Sequence, residues 1–424
     1  MAPTFPRRVT AWFAVGLLTT GLLAGGATPA DAATTRPTSV TLTPTADPAH
    51  SQSFTWRMTR NRPGQVVQLK APNGRISTAA ARSKMRVQKT YSGINAYAFT
   101  ATATRLSPGT GYAYRIVTSG GSTGWTTFTT ARAGLDRPWT FLAFGDTQIA
   151  NTGVPESLID TAVARNPTAP LLLHAGDVVN SPSSITEWRQ FMTATYPTRT
   201  TRNWLISVGN HEQCVLLTSC RSGDAQAFRS YYSWPRNGYP SQGQTWYYTD
   251  YQGVRFIVLD TFGGDLKQQS AFLDTALKTN RQRWTVVLQH AGPFASRSDR
   301  NNTAIRTAFQ PLYDTYKVDL VLSGHDHSYN RGYDGNKNST VYAVSDSGPK
   351  FYAPSARDWS RAGATRVASA GYTSTYQRVT VSQNTLTYQA VVGYKGTGST
   401  TAKKVGQVLD QVIITKSGTT KTVR

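Results

Sequence analysis

Apolar and polar residues alternate in short runs over residues 36 to 133, as in Ser39-Val-Thr-Leu-Thr, Ser53-Phe-Thr-Trp-Arg, Val66-Val-Gln-Leu and Tyr97-Ala-Phe-Thr-Ala. Turns with Pro-Gly, Asn-Gly and Gly-Gly separate the runs, and this period-two pattern predicts an all-β sandwich. Ala131 to Asp136 reads as a linker. Beyond Pro138 the pattern changes to continuous apolar runs, predicting buried strands at Thr140-Phe-Leu-Ala-Phe, Leu171-Leu-Leu-His, Trp204-Leu-Ile-Ser-Val, Arg255-Phe-Ile-Val-Leu, Trp284-Thr-Val-Val-Leu and Val318-Asp-Leu-Val-Leu. Helical periodicity falls between them near 153 to 165, 185 to 195, 267 to 278 and 303 to 316, so an α/β core is expected over 137 to 418. After Val341 the strands alternate again with little helix, and a second, more antiparallel sheet is the simplest expectation.

The first 32 residues stand apart. Arg7 and Arg8 precede an apolar run from Ala11 to about Gly26 and an Ala30-Asp31-Ala32 site, the order of a cleaved secretory signal. The apolar run is shorter than the roughly 20 residues of a spanning helix and is broken by Gly21, Gly25 and Gly26. Export to the cell envelope or beyond is therefore expected, with no transmembrane segment left after cleavage. In that compartment the only two cysteines, Cys214 and Cys220, are expected to form a disulfide bracing one loop. Metal binding is the alternative, although C-x5-C with only His211 nearby is a poor zinc pattern.

The formal net charge of +23 is concentrated toward the N-terminus. Thirteen Lys or Arg lie between Arg36 and Arg132 against one acid, Asp47. Such a surface attracts polyanions, an anionic cell-envelope polymer among them, or serves solubility alone; no specific nucleic-acid partner is implied.

The candidate chemistry sits at strand ends. Gly145-Asp146-Thr147-Gln148, Gly176-Asp177, Gly209-Asn210-His211-Glu212, Gln289-His290 and Gly324-His325-Asp326-His327 each follow a predicted strand, where ligand sites of α/β sheets form. Singly, a Gly-Asp is a turn and a strand histidine a core residue. Five strand ends delivering Asp, Asn or His to one edge make a metal-ligand constellation, and four of the six histidines fall within it. Mixed carboxylate, amide and imidazole donors suit Mn, Zn or Fe better than Mg or Ca.

Two resemblances follow from these motifs. Leu106-Ser-Pro-Gly-Thr-Gly-Tyr-Ala-Tyr-Arg-Ile is similar to the fibronectin type III strand that begins with a tyrosine corner, with Tyr112 at the corner and Trp56 as the core tryptophan. The strand-end constellation, with Trp246-Tyr-Tyr, Phe256-Ile-Val-Leu-Asp-Thr and Tyr329-Asn-Arg331, resembles the calcineurin-like metallophosphoesterases, and with the preceding sandwich their purple acid phosphatase branch. The resemblance implies a metallophosphoesterase domain with two central sheets flanked by helices, and two metal ions. Asp146 and His327 would hold one ion, Asn210, His290 and His325 the other, and Asp177 both. Gln148 would be a further ligand of the first ion or stand just outside it. His211 would orient phosphate and assist the leaving group, beside a hydroxide shared by the two ions at Asp177.

The chain departs from the purple pattern at Asn180, where the family has an iron-ligating tyrosine, so purple colour is not expected. The implied activity is hydrolysis of phosphate monoesters, acid phosphatase-like. Phosphodiesters of envelope polymers, nucleotides or lipid headgroups are an alternative substrate class, and an inert envelope-binding protein is a reading of a different class.

Overall fold

The computed structural model describes residues 36–87, 95–149, 153–213, 225–238 and 245–424; the expected signal segment and Cys214 and Cys220 lie outside the described residues. The N-terminal region is a sandwich of two antiparallel sheets. One holds Thr38–Thr43, Gln52–Met58, Ala96–Ala103 and Arg82–Val87 in that order; the other holds Ile76–Ala80, Val66–Lys70 and Gly111–Thr118, the last also pairing with Gly121–Ser122 and Thr126–Thr129.

Strand Gly111–Thr118 alternates buried and partly exposed residues as its sequence predicts. The Tyr112 hydroxyl accepts the Ser107 backbone N–H at 2.9 Å, the hydrogen bond of a tyrosine corner. Trp56 is fully buried, and its indole N–H donates to Gln65 Oε1 at 2.8 Å.

Strand Gln52–Met58 breaks the alternation, because every residue in it is buried. Its polar face is covered by the second domain. The Gln52 and Asn203 amides bond each other at 2.8 and 3.2 Å, and Arg57 lies 4.4 Å from the centre of the Tyr231 ring. Tyr114 donates to Thr200 O at 2.8 Å, and the Arg199 guanidinium donates to Val40 O. The sandwich is thus docked through buried polar pairs against the edge strand Asn203–Ile206.

The α/β region contains two seven-stranded sheets. The first runs Asn203–Ile206, Leu171–His174, Trp139–Phe144, Thr373–Val381, Thr385–Lys395, Val408–Ser417 and Thr420–Val423. The second runs Tyr247–Tyr251, Val254–Val258, Trp284–Leu288, Leu320–Ser323, Val341–Val344, Tyr329–Asp334 and Ala364–Ala370. Apart from the half-buried Thr140, the parallel strands are buried along their whole length, as runs such as Leu171-Leu-Leu-His require. Phe141 and Phe256 meet edge to face at 5.2 Å in the core between the sheets. Helices Leu266–Lys278 and Thr303–Thr315 cover the outer face of the second sheet through Leu273, Phe309 and Tyr313, and Val154–Arg165 packs beside the first.

The C-terminal strands differ from the expectation of a separate sheet. Thr373–Val381 pairs antiparallel with Trp139–Phe144, while Val341–Val344 and Ala364–Ala370 complete the second sheet. Trp139–Phe144 has its parallel partner on one side only, and the C-terminal hairpins saturate the backbone groups of its other edge.

Candidate metal centre

Five parallel strands end at one edge. Trp139–Phe144, Leu171–His174 and Asn203–Ile206 deliver Asp146, Asp177 and Asn210 from the first sheet; Trp284–Leu288 and Leu320–Ser323 deliver His290, His325 and His327 from the second. Ligand atoms of Asp177, His290 and His325 lie within 4.8 Å of one another, and so do those of Asp146, Asp177 and His327. Asp177 is common to both trios. Asn210 Oδ1 is 3.2 Å from His290 Nε2, which places the amide in the first trio.

The backbone is strained where these groups converge. Among the described residues ten non-glycine positions have positive φ, and five are Asp146 (52°), Gln148 (35°), Asp177 (55°), His325 (73°) and His327 (47°). Each such residue costs about 1–3 kcal/mol, and clustering of this kind marks functional sites. Two glycines allow the carboxylates in: a Cβ on Gly324 would lie 2.1 Å from Asp146 Oδ2, and one on Gly209 2.1 Å from Asp177 Oδ1. Any side chain at either position would expel the acid.

The imidazoles are aimed by their outer nitrogens. His290 Nδ1 donates to Ala175 O at 2.6 Å and His327 Nδ1 to Lys350 O at 3.1 Å, so each Nε2 faces the carboxylates. Phe262 packs 4.8 Å from the His325 ring and fixes its plane. Gln148 is 4% exposed, and neither its Oε1 nor its Nε2 has a partner in the protein. A buried amide in that state is costly, and a cation bound through Oε1 would satisfy its oxygen. Together with two acids, an amide and three imidazoles, this orphaned group fits a two-cation site.

Two models of known families match the chain. Residues 140–329 match the calcineurin-like phosphoesterase model and residues 37–130 the purple acid phosphatase N-terminal domain. The chain carries a calcineurin-like phosphoesterase domain behind a purple acid phosphatase N-terminal domain. An uncharacterized protein of Mycobacterium tuberculosis is 28% identical over 269 residues, 54% of this chain and 50% of that one. Purple acid phosphatase 1 of Ipomoea batatas is 32% identical over 135 residues, 30% of this chain and 28% of that one. The chain thus spans at most about half the length of these curated relatives. In fold it is similar to a purple acid phosphatase from yellow lupin seeds, with a TM-score of 0.72 and 19% identity over 90% of this chain and 74% of the other.

Within the phosphoesterase domain the other highlighted residues separate clearly. His211 Nδ1 donates to Asn180 O at 2.6 Å, leaving Nε2 3.9 Å from Asp177 Oδ2 at the open side of the site. Asn180 therefore serves through its backbone carbonyl. Asp326 turns away from the ligand cluster and pairs with Arg300 at 2.6 Å. Arg331 makes a two-pronged pair with Asp410 and is not available to hold phosphate. His174 is fully buried, shares a 3.1 Å contact with Thr147 Oγ1 and packs against Phe191. His50 pairs with Asp47 on the sandwich surface.

Two residues were not anticipated in these roles. Glu212 accepts backbone N–H groups from Asp177 (2.9 Å), Val178 (2.9 Å), Val179 (3.3 Å) and Gly209 (2.8 Å), pinning two ligand loops with one carboxylate. Asp346, buried just after strand Val341–Val344, lies 3.8 Å from His327 Nδ1. The sequence signal for Asp346 was an acid just past another strand end; Glu212 carries no signal beyond its adjacency to Asn210 and His211.

Protons compete with cations for this centre. Burial pushes the Asp146 carboxyl up to about 8, against the pull of His290. Burial disfavours charge on His290, but the Asp177 carboxylate outweighs it and raises the imidazole to about 9. Burial holds His327 down at about 3, so its Nε2 lone pair is free. Raised values at Asp146 and His290 mean that cations compete with protons at both groups near neutrality. Calorimetric titration of metal-free protein with Zn or Mn, in buffers of different ionisation heat, should show release approaching two protons per chain. The affinity should rise from pH 6 to pH 9, because protons compete below the raised values. No proton release would contradict this pairing.

Proposed function

We propose that the protein is a metal-dependent phosphoric ester hydrolase that cleaves phosphate monoesters as an acid phosphatase does. The observation that carries this reading is the pair of buried donor trios sharing Asp177. Asp146, Gln148 and His327 would hold one cation, Asn210, His290 and His325 the other, and Asp177 both. Two cations of the Mn, Zn or Fe type supply Lewis-acid charge for phosphoryl oxygens and lower the pKa of water toward neutrality. His211, anchored through Nδ1, presents Nε2 where it can orient a phosphoryl oxygen and hand a proton to the leaving group. Asn180 supplies no phenolate, so the loaded protein is expected to lack the purple band.

The signal-like first 32 residues support export to the envelope or the extracellular space. The excess of thirteen basic residues over one acid between Arg36 and Arg132 supports a second reading, in which the ester is a phosphodiester of an anionic envelope polymer.

Purified protein, its N-terminus mapped by mass spectrometry after secretion, should hydrolyse para-nitrophenyl phosphate, and chelation should abolish the activity. Faster hydrolysis of the bis ester would favour the polymer reading. No turnover of either ester after loading with Mn, Zn and Fe would sink the hydrolase proposal.

A further inference from the structure

A polar cleft of about 720 Å³ lies between the sandwich and the phosphoesterase domain. It is walled by residues that precede the strands carrying the metal centre: Trp139 begins its strand, and Pro170 and Arg202 immediately precede theirs. Those strands are parallel, so the cleft is at the opposite end of the sheet from Asp146 and Asp177, roughly 15–20 Å away at about 3.3 Å per residue. It cannot be part of the hydrolytic site.

Its lining includes three arginines, Arg132, Arg137 and Arg202, and no acidic residue. Two donors there have no acceptor. Arg202 gives Nη2 to Pro167 O at 2.8 Å, but its Nη1 is buried and unpartnered. Arg202 is half-buried, and that burial lowers its guanidinium below its ordinary value. Gln252 is 5% exposed; its Oε1 accepts the Arg132 N–H at 3.3 Å, which fixes the amide orientation and leaves Nε2 without a partner. Gln252 is also held at φ 49° in the two-residue turn that joins Tyr247–Tyr251 to Val254–Val258. Such a turn favours Asn or Asp at this position. The exposed Asp136 pairs with the Arg132 side chain at 2.6 Å and also attracts the exposed Arg137, so Arg202 carries the uncompensated charge inside the cleft and Arg137 adds to it at the mouth.

Unsatisfied donors beside uncompensated guanidinium charge call for an oxyanion, and the several acceptor oxygens of a phosphate group suit a planar guanidinium and an amide donor together. We propose that this cleft is a second anion site, which binds a phosphate group through Arg202 and Gln252 with Arg137 at its mouth. The same chemistry is presented by free inorganic phosphate and by the phosphates of a glycerol-phosphate polymer. Binding there requires no turnover, so it stands or falls separately from the hydrolase proposal.

Equilibrium dialysis of metal-loaded protein against labelled inorganic phosphate at low salt tests it. Arg202→Leu should weaken one class of phosphate site at least about tenfold, the cost of removing a charged hydrogen bond. Hydrolysis of para-nitrophenyl phosphate, or its absence, should be unchanged. Arg137→Gln, on the surface and harmless to folding, should weaken the same class severalfold, so the test survives if Arg202→Leu misfolds. Displacement of that class by a glycerol-phosphate oligomer assigns it to polymer phosphate, and failure to displace assigns it to the free ion. Identical isotherms for the wild type and both variants would overturn the proposal.

Discussion

Asp177→Asn is expected to lower kcat/KM for para-nitrophenyl phosphate by about a thousandfold or more, equivalent to about 4 kcal/mol of transition-state stabilisation. The size follows from its position. Asp177 is 1% exposed, lies 3.1 Å from His290 Nε2, and is the one residue common to both donor trios. Burial pushes its carboxyl up, yet His290 at hydrogen-bond distance pulls it well below the usual range, so it is charged across the working pH range. An amide keeps the shape but loses the charge that two cations would share. A variant within tenfold of wild type would show that Asp177 is not the shared ligand.

The second large effect is expected at Glu212, which contacts no candidate ligand side chain except through the backbone. Glu212→Leu would leave four backbone N–H groups, those of Asp177, Val178, Val179 and Gly209, without their acceptor in a fully buried pocket. Each buried orphan costs on the order of 1–3 kcal/mol before the loops relax. The thermal midpoint should fall by roughly 5–10 °C. Metal occupancy at limiting supply should fall with it, because the turn that holds Asp177 at φ 55° would lose its anchor. An unchanged midpoint with full occupancy would mean that water replaces the carboxylate and the anchor is dispensable.

The sequence was most informative where the physics is local. Runs such as Leu171-Leu-Leu-His and Trp284-Thr-Val-Val-Leu correspond to strands Leu171–His174 and Trp284–Leu288, and the helices at 266–278 and 303–315 match their periodicity. Because parallel strands place their C-terminal ends on one edge, Asp146, Asp177, Asn210, His290, His325 and His327 could be expected to converge, and the fold brings them together. What was not legible is non-local. Alternation cannot say that Thr373–Val381 would pair with Trp139–Phe144, more than two hundred residues earlier. Nor could it say that Arg331 would be taken by Asp410, or that the polar face of Gln52–Met58 would be buried against Asn203 and Tyr231. Glu212 escaped for the same reason: its acceptors serve backbone groups, and these leave no trace in side-chain pattern.

Positive φ values at five site residues mark this edge as strained. The strain is carried by the two packed sheets beneath, whose central strands are buried. A cation at each trio would offset part of it by neutralising the charged Asp177 and engaging the orphaned Gln148 oxygen.

The most direct test of the two-cation centre is elemental analysis of protein loaded with Zn or Mn and freed of excess ion, with Asp177→Asn and Gln148→Ala beside the wild type. Two ions per chain in the wild type and fewer than two in each variant, with hydrolysis tracking the second ion, is the predicted result. One ion or none in the wild type, with hydrolysis persisting after chelation, would contradict it.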